Sequence, residues 1–381
     1  MIILPFISFA LLIAYYFLIN YYYNAWIKVP EFSPANTDAN PGVKISVIVP
    51  ARNEENVIED CVLALLEQKY PEDLFEIIIV DDYSTDRTVD IIKGINPKRI
   101  KLLALKHYYS ENEINAHKKK AIETGIQYCS GDLIITTDAD CVADENWIST
   151  IAAFYKYNKA AFIVAPVKIT IGNPPILSVF QSIDFAILQG ITGASVFKRF
   201  HYMCNGANLA YEKKAFYAVN GFEGIDHIAS GDDMLLMEKI AKKFPDGIAY
   251  LKSEAAIVST LPSVNWKNFF NQRIRWASKT KDYIDKKIIA VLALVYLLNL
   301  SLFSLLAGCI INPSLLLFFV VFVFYKCIIE WRFVSTLLKY FKLHNFMFLF
   351  PLFQPLHIIY IVVSGFFGSI GKYRWKGRVV K

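Results

Sequence analysis

Charged residues are missing from three long stretches of the chain. No Asp, Glu, Lys or Arg occurs before Lys28, between residues 288 and 325, or between residues 343 and 371. A helix that crosses a bilayer takes about 20 mostly apolar residues, so the first and last stretches each have room for one span. The middle stretch has room for two, divided at Asn312-Pro313. Residues 28–287 have an ordinary polar balance and suffice for one large domain. A wholly soluble protein is excluded, and a pure channel or multi-span transporter is disfavoured.

The N-terminal stretch reads as an uncleaved anchor. A secretory signal has a basic start and an apolar core of about 7–15 residues. Here the apolar run is longer, lacks an early Lys or Arg, and ends in Tyr21-Tyr22-Tyr23 and Trp26, which suit a membrane–water boundary. The six cysteines show neither a CxxC pair nor a disulfide framework, as expected of buried thiols in a reducing compartment. That puts the large domain in the cytoplasm. The net charge of +6 suits anionic lipid headgroups or anionic substrates, and no basic cluster points to nucleic acid.

Within the large domain, continuous β-branched runs (45–49, 77–80, 100–105, 133–137 and 161–165) alternate with helical patterns such as Val57, Cys61, Leu65. That alternation predicts an α/β fold with a mostly parallel sheet covered on both faces. Polar clusters follow three of the runs. Pro50-Ala51-Arg52-Asn53-Glu54 follows the first, Asp81-Asp82 ends the second, and Asp138-Ala139-Asp140 follows the fourth. Ligands of open α/β sheets bind beyond the carboxyl ends of the strands, so these clusters are expected to share one crevice.

The residue types suggest the chemistry. Asp138 and Asp140, one residue apart, point the same way in an extended segment and suit Mg2+ or Mn2+ completed by phosphates and water. Asp81 and Asp82 are placed to accept hydrogen bonds from a base or ribose. Lys118, Lys119 and Lys120 offer cations for phosphate, although three in a row cannot all point inward. Asp232-Asp233, after Ser230-Gly231 and before a helical pattern, is either a capping pair or a general base. Gln272-Arg273-Ile274-Arg275-Trp276 precedes the second apolar stretch and taken alone reads as an interfacial anchor.

In order, these motifs resemble those of a membrane-bound, inverting family 2 glycosyltransferase of the GT-A fold, over about residues 43–285. The resemblance implies that Pro50, Arg52, Asn53, Glu54, Asp81, Asp82 and Lys118 bind a nucleotide-sugar donor, in all expectation a UDP-sugar. It implies Asp140 as metal ligand with Asp138 in support, Asp233 as base beside Asp232, and Gln272, Arg275 and Trp276 closing over the diphosphate. A looser match makes Asn205, Gly206 and Asn208 an acceptor-side loop. The base motif commonly carries Glu-Asp, and here it reads Asp-Asp.

The expected organisation is an anchor over 1–27, a linker over 28–42, a GT-A domain with interfacial helices over 43–287, about three spans over 288–371, and a basic tail over 372–381. The tip at Asn312-Pro313 is expected outside. Lys326, Arg332, Lys339 and Lys342 are expected in a cytoplasmic loop. Pro351, Gln354 and Pro355 interrupt the last run, which is expected to return the tail (Lys372, Arg374, Lys376, Arg378, Lys381) to the cytoplasm. Residues 176–200 form either an interfacial helix or a core helix. The acceptor is expected to be a membrane lipid or lipid-linked molecule. The alternatives are a growing glycan in a processive polysaccharide synthase, and a non-catalytic membrane scaffold. The sequence names no partner subunit.

Overall fold

The computed structural model describes residues 3–33, 42–95, 99–283, 285–370, 373–375 and 378–380. Of the expected linker at 28–42, residues 34–41 lie outside the described residues.

A long apolar helix, α1 (Ile3–Trp26), leads to a domain in which strands and helices alternate. These are β1 (Ile45–Ala51), α2 (Ile58–Leu66), β2 (Phe75–Asp81), α3 (Thr88–Ile95), β3 (Ile100–Ala104), α4 (His117–Gln127) and β4 (Leu133–Thr136). Next come β5 (Cys141–Ala143), α5 (Trp147–Asn158), β6 (Phe162–Val164), β7 (Val167–Ile169), α6 (Pro175–Lys198), β8 (Leu209–Glu212) and α7 (Lys213–Ala218). The domain ends with α8 (Met234–Lys243), β9 (Ile248–Tyr250), β10 (Val258–Thr260) and α9 (Trp266–Ser278). Beyond it stand α10 (Lys286–Gly308), α11 (Leu315–Tyr340) and α12 (Phe350–Ile370).

The main sheet has the order β3-β2-β1-β4-β8-β6-β9. All its strands run parallel except β8, which pairs antiparallel with both β4 and β6. The β-branched runs account for this sheet: Val47, Ile48, Val49, Ile77, Ile78 and Ile79 are fully buried, with helices on both faces. After β1 the chain moves outward through β2 to β3, then returns to place β4 on the other side of β1. That reversal opens a crevice at the carboxyl ends of β1 and β4. The expected fold class is therefore found, with β8 and β9 extending the sheet beyond the strands anticipated. A smaller sheet, β5-β10-β7, lies beside it.

Among the described residues, four helices are long and apolar enough to cross a membrane: α1, α6, α10 and the segment His344–Ile370 that contains α12. Of these, α6 is mostly buried against the rest of the protein, which decides between the two expectations for 176–200 in favour of a core helix. The helices α1, α10 and α11 pack on one another. The break between α10 and α11 falls at Asn312-Pro313, as expected.

One expectation is corrected. Lys326, Arg332 and Lys339 are not in a loop, because α11 continues through them to Tyr340, and only Lys342 lies beyond it. Lys326 and Glu330 lie one turn apart and pair at 2.7 Å, and both bond the Gln354 side chain at 2.7 Å. The Tyr15 hydroxyl of α1 donates to the same Glu330. Lys326 and Glu330 neutralise each other, so the helix need not end where the charges begin.

The helix α12 runs parallel to α9, with the Tyr360 ring 5.4 Å from that of Phe269 and Gly368 against Ala277. Its first residue, Phe350, packs with Val179, Val334 and Leu338. Along its length α12 thus follows α6, α11 and then α9. Beyond it, β11 (Tyr373–Trp375) and β12 (Arg378–Val380) pair antiparallel, and β11 lies beside α9. The remainder of the expected basic tail lies outside the described residues.

Candidate active site

The loops after β1 and β2 are built as one unit. Asn53 adopts a left-handed backbone (φ 51°), and its side-chain oxygen accepts from the Thr85 N–H at 2.8 Å. The Glu54 N–H donates to Thr88 Oγ1 at 2.7 Å, and the Arg52 guanidinium donates to the Asp82 carbonyl at 2.7 Å. Asp81 turns back to accept from the Ser84 N–H. Asp82 instead faces His117 at the start of α4, at 2.7 Å.

The three consecutive lysines of α4 point three ways, as helical spacing requires. Lys119 donates to the carbonyls of Ile225 and Ile228, and Lys120 pairs with Glu123. Lys118 alone enters the crevice, where its ammonium lies 2.6 Å from Asp138 and 3.2 Å from Asp232. Burial by itself would lower the Lys118 pKa, but the two carboxylates outweigh it and hold the ammonium above its usual range. Conversely, burial pushes Asp232 upward, and Lys118 followed by Lys279 overcomes this and keeps it below the usual carboxylate range.

Asp233 is both a cap and a wall of the crevice. It caps α8 by accepting from the Met234 N–H at 2.8 Å, and its other oxygen accepts from the Gly206 N–H at 3.1 Å. Gly231, at φ 76°, takes the backbone conformation that turns the chain into this cap. The capping and catalytic readings of the pair are compatible, because a capping carboxylate keeps its remaining lone pairs for other partners.

A single cavity of about 720 Å³ gathers these groups. Of the residues singled out in the sequence, Pro50, Arg52, Glu54, Asp82, Lys118 and Asp138 line one side of it. Asp140, Asn205, Gly206, Asp232 and Asp233 line it too, as do Gln272, Arg275 and Trp276 of α9. Asn53 and Asp81 do not line it and act by shaping the two loops. Asn208 does not either. It is fully buried, with its amide donating to the Pro166 and Ala256 carbonyls and accepting from Trp147 Nε1, so of the three residues named for that loop only Asn205 and Gly206 reach the cavity.

Two wall residues were not anticipated. Lys279 lies 3.8 Å from Asp233, and its position, one helical turn beyond Arg275 and Trp276, is the signal that could have found it. Arg273 pairs with Asp184 of α6 at 2.8 Å and stacks 4.2 Å from the Trp276 ring centroid. No local pattern marks that pair, since Asp184 sits alone on an apolar helix.

The donor chemistry at Asp138 and Asp140 fits a hard divalent cation. Among the described residues no third His, Cys, Asp or Glu completes a cage, so phosphate oxygens and water would fill the remaining positions.

Comparison with known proteins agrees with this geometry. Glycosyl transferase family 2 matches residues 46–219, and Glycosyl transferase family group 2 matches residues 133–364, more than half of the chain. The chain belongs to glycosyltransferase family 2. Among relatives of this family 2 glycosyltransferase, the probable glycosyltransferase YdaM of Bacillus subtilis is 28% identical over 65% of the chain and 57% of its own length. The poly(ribitol-phosphate) beta-glucosyltransferase of Bacillus spizizenii is 23% identical over 66% of the chain and 39% of its own length. The match thus spans about half or less of these curated relatives. Among solved structures, a mannosyltransferase from Pyrobaculum calidifontis in complex with GDP-Man and Mn2+ aligns over 96% of this chain and 99% of its own. Its TM-score is 0.57 at 18% identity, a likeness of fold.

Proposed function

We propose that this family 2 glycosyltransferase moves a sugar from a nucleotide-sugar, a UDP-sugar, to a membrane-associated lipid or lipid-linked acceptor, with inversion at the anomeric carbon. One observation carries the reading: Asp233 and the Asp138-Asp140 pair face a single cavity, with Lys118 joined to Asp138 and Asp232 between them.

In this reading Arg52, Glu54 and Asp82 hold the nucleoside end of the donor. A divalent ion held by Asp140 with support from Asp138 would offset the charge of the departing diphosphate. Lys118 and Arg275 add positive charge to the same cavity. Asp233 takes the proton from the acceptor hydroxyl, and the two N–H groups that it accepts fix its orientation. Lys118 neutralises Asp232, so the second carboxylate does not compete for that proton. Trp276 and Gln272 close the cavity over the reacting groups.

The domain boundaries at 43–287 and 288–371 belong to the same proposal. The apolar helices α1 and α10 with α11 anchor the chain in the membrane, and the GT-A domain stands on the cytoplasmic side. Free thiols at all six cysteines and the position of β11 beside α9 support that side.

The test uses purified protein in vesicles with Mg2+ or Mn2+ and a panel of UDP-sugars, reading UDP release with and without extracted lipid. Metal- and lipid-dependent release that Asp140→Ala and Asp233→Ala both abolish is expected. Absence of release with every donor tried, lipid present, overturns the reading. A high-molecular-weight product formed without added lipid would favour processive synthesis, which the Gln272-x-x-Arg275-Trp276 motif also fits.

A further inference from the structure

The cavity does not end at the carboxylates. Past Asp233 and Trp276 it continues between α10 and α12, where Leu292, Val295, Tyr296, Ile361, Gly365 and Phe366 form its walls. The change of character is abrupt. Carboxylates and cations line one end, while the other end is almost wholly aliphatic and aromatic.

Three features give this apolar arm a specific occupant. First, it reaches the outer surface of the helices: Phe366 and Ile370, which line it, are 53% and 71% exposed on α12, part of a segment long and apolar enough to cross a bilayer. Second, it joins the reacting groups without a break, so a molecule seated in it presents its head to Asp233. Third, a polar girdle lies at the junction. Ser364 Oγ is buried and lacks a hydrogen-bond partner among the described residues, as does Gln272 Oε1, and both residues line the cavity. Buried polar atoms left without partners are costly, and a ligand headgroup at that level satisfies them.

We infer that the cleft between α10 and α12 seats the hydrocarbon chain of the acceptor, a lipid whose hydroxyl-bearing headgroup lies between Ser364 and Asp233. This rests on the transferase reading above and narrows its acceptor. A sugar polymer passing the same way would lose water from its hydroxyls against Leu292, Ile361 and Phe366, with few groups to replace it. A hydrocarbon chain loses nothing there. The Gly365 backbone packs against the Tyr296 ring so closely that a Cβ would lie 2.5 Å from it, so α10 and α12 touch there and bound the arm at that point.

The experiment uses the full chain in phosphatidylcholine vesicles containing diacylglycerol with a diazirine in its acyl chain. After irradiation, labelled peptides are mapped by mass spectrometry, and UDP release from UDP-sugars is measured on the same preparation. Label on α10 and α12 around Leu292, Ile361 and Phe366, displaced by unlabelled diacylglycerol, is the expected result. Leu292→Trp, a partly exposed position that tolerates bulk, is expected to reduce that label about tenfold. UDP release with label confined to the outward face of α11, at Phe318 and Phe324, overturns the inference and leaves the transferase reading intact. Cleft label that unlabelled lipid cannot displace also overturns it. Displaceable cleft label without donor turnover supports the seat and removes the transferase reading instead.

Discussion

The Lys118 ammonium lies 2.6 Å from the Asp138 carboxylate. This contact joins the helix behind the sheet to the loop beyond β4, and through Asp232 it reaches the start of α8 as well. A single cation thereby separates two carboxylates that would otherwise repel across the crevice. Lys118→Met is expected to reduce UDP release by about 10²–10³, the usual scale for losing one preorganised charge. Donor binding by calorimetry, read beside kcat, checks whether the loss falls on turnover or on affinity.

Asp233 has two roles that one substitution can part. Asn caps a helix about as well as Asp, so Asp233→Asn is expected to keep α8, although its single oxygen can serve only one of the Met234 and Gly206 N–H groups. It removes the base, and the rate is expected to fall by about 10²–10⁴. Asp233→Ala loses both and is expected to cost about 1 kcal/mol of stability besides. Thermal unfolding of the two variants together with their UDP release tests this division.

How much of this was legible in the sequence depends on the distance over which each feature is specified. Strands β1, β2 and β4 are written locally in β-branched runs, and the acids that follow them fall at carboxyl ends by the rule of open sheets. The part of the cavity wall from Arg52 to Asp140 could therefore be named in advance, whereas Asp233 and Trp276 are reached only through the family motifs. Asn53, Asp81 and Asn208 carry the same motif signal as their neighbours, yet their side chains serve the backbone. A motif marks a segment, and only the fold decides which side chains face the ligand. The α11 correction has the same origin. Charges usually end an apolar run, and the partners that let Lys326 and Glu330 remain inside α11, Gln354 and Tyr15, lie 28 and 315 residues away along the chain.

Acid sensitivity follows from Asp232. Its pKa is held below the unfolded value of about 3.9, because Lys118 and then Lys279 overcome the effect of burial. A depressed carboxylate contributes stability that is fully present above the unfolded pKa and is lost as pH falls through the folded one. Stability is therefore expected to drop as the medium is acidified below about pH 4. Asp232→Asn removes this titration, so its melting temperature should vary less steeply with pH over that interval. An unchanged slope would remove Asp232 from the account.

The Lys326–Glu330 pair invites a double-mutant test, because its worth differs according to what replaces it. Lys326 has no exposure, and its ammonium is shared between Glu330 and Gln354. Removing one partner of a buried pair leaves a charge without compensation and typically costs about 3–5 kcal/mol. Both Lys326→Met and Glu330→Gln are expected to lower the unfolding temperature in detergent micelles, Lys326→Met more, since it strands a carboxylate. Replacing both residues, Lys326→Met with Glu330→Leu, removes the stranded charge and lets the helices pack through apolar contacts. Tyr15 and Gln354 then lose partners, but these are neutral groups that cost less to bury. The double variant is thus expected to be more stable than Lys326→Met alone. If it unfolds at the lower temperature of the two, the network contributes more than charge neutralisation, and α1, α11 and α12 depend on its hydrogen bonds for their arrangement.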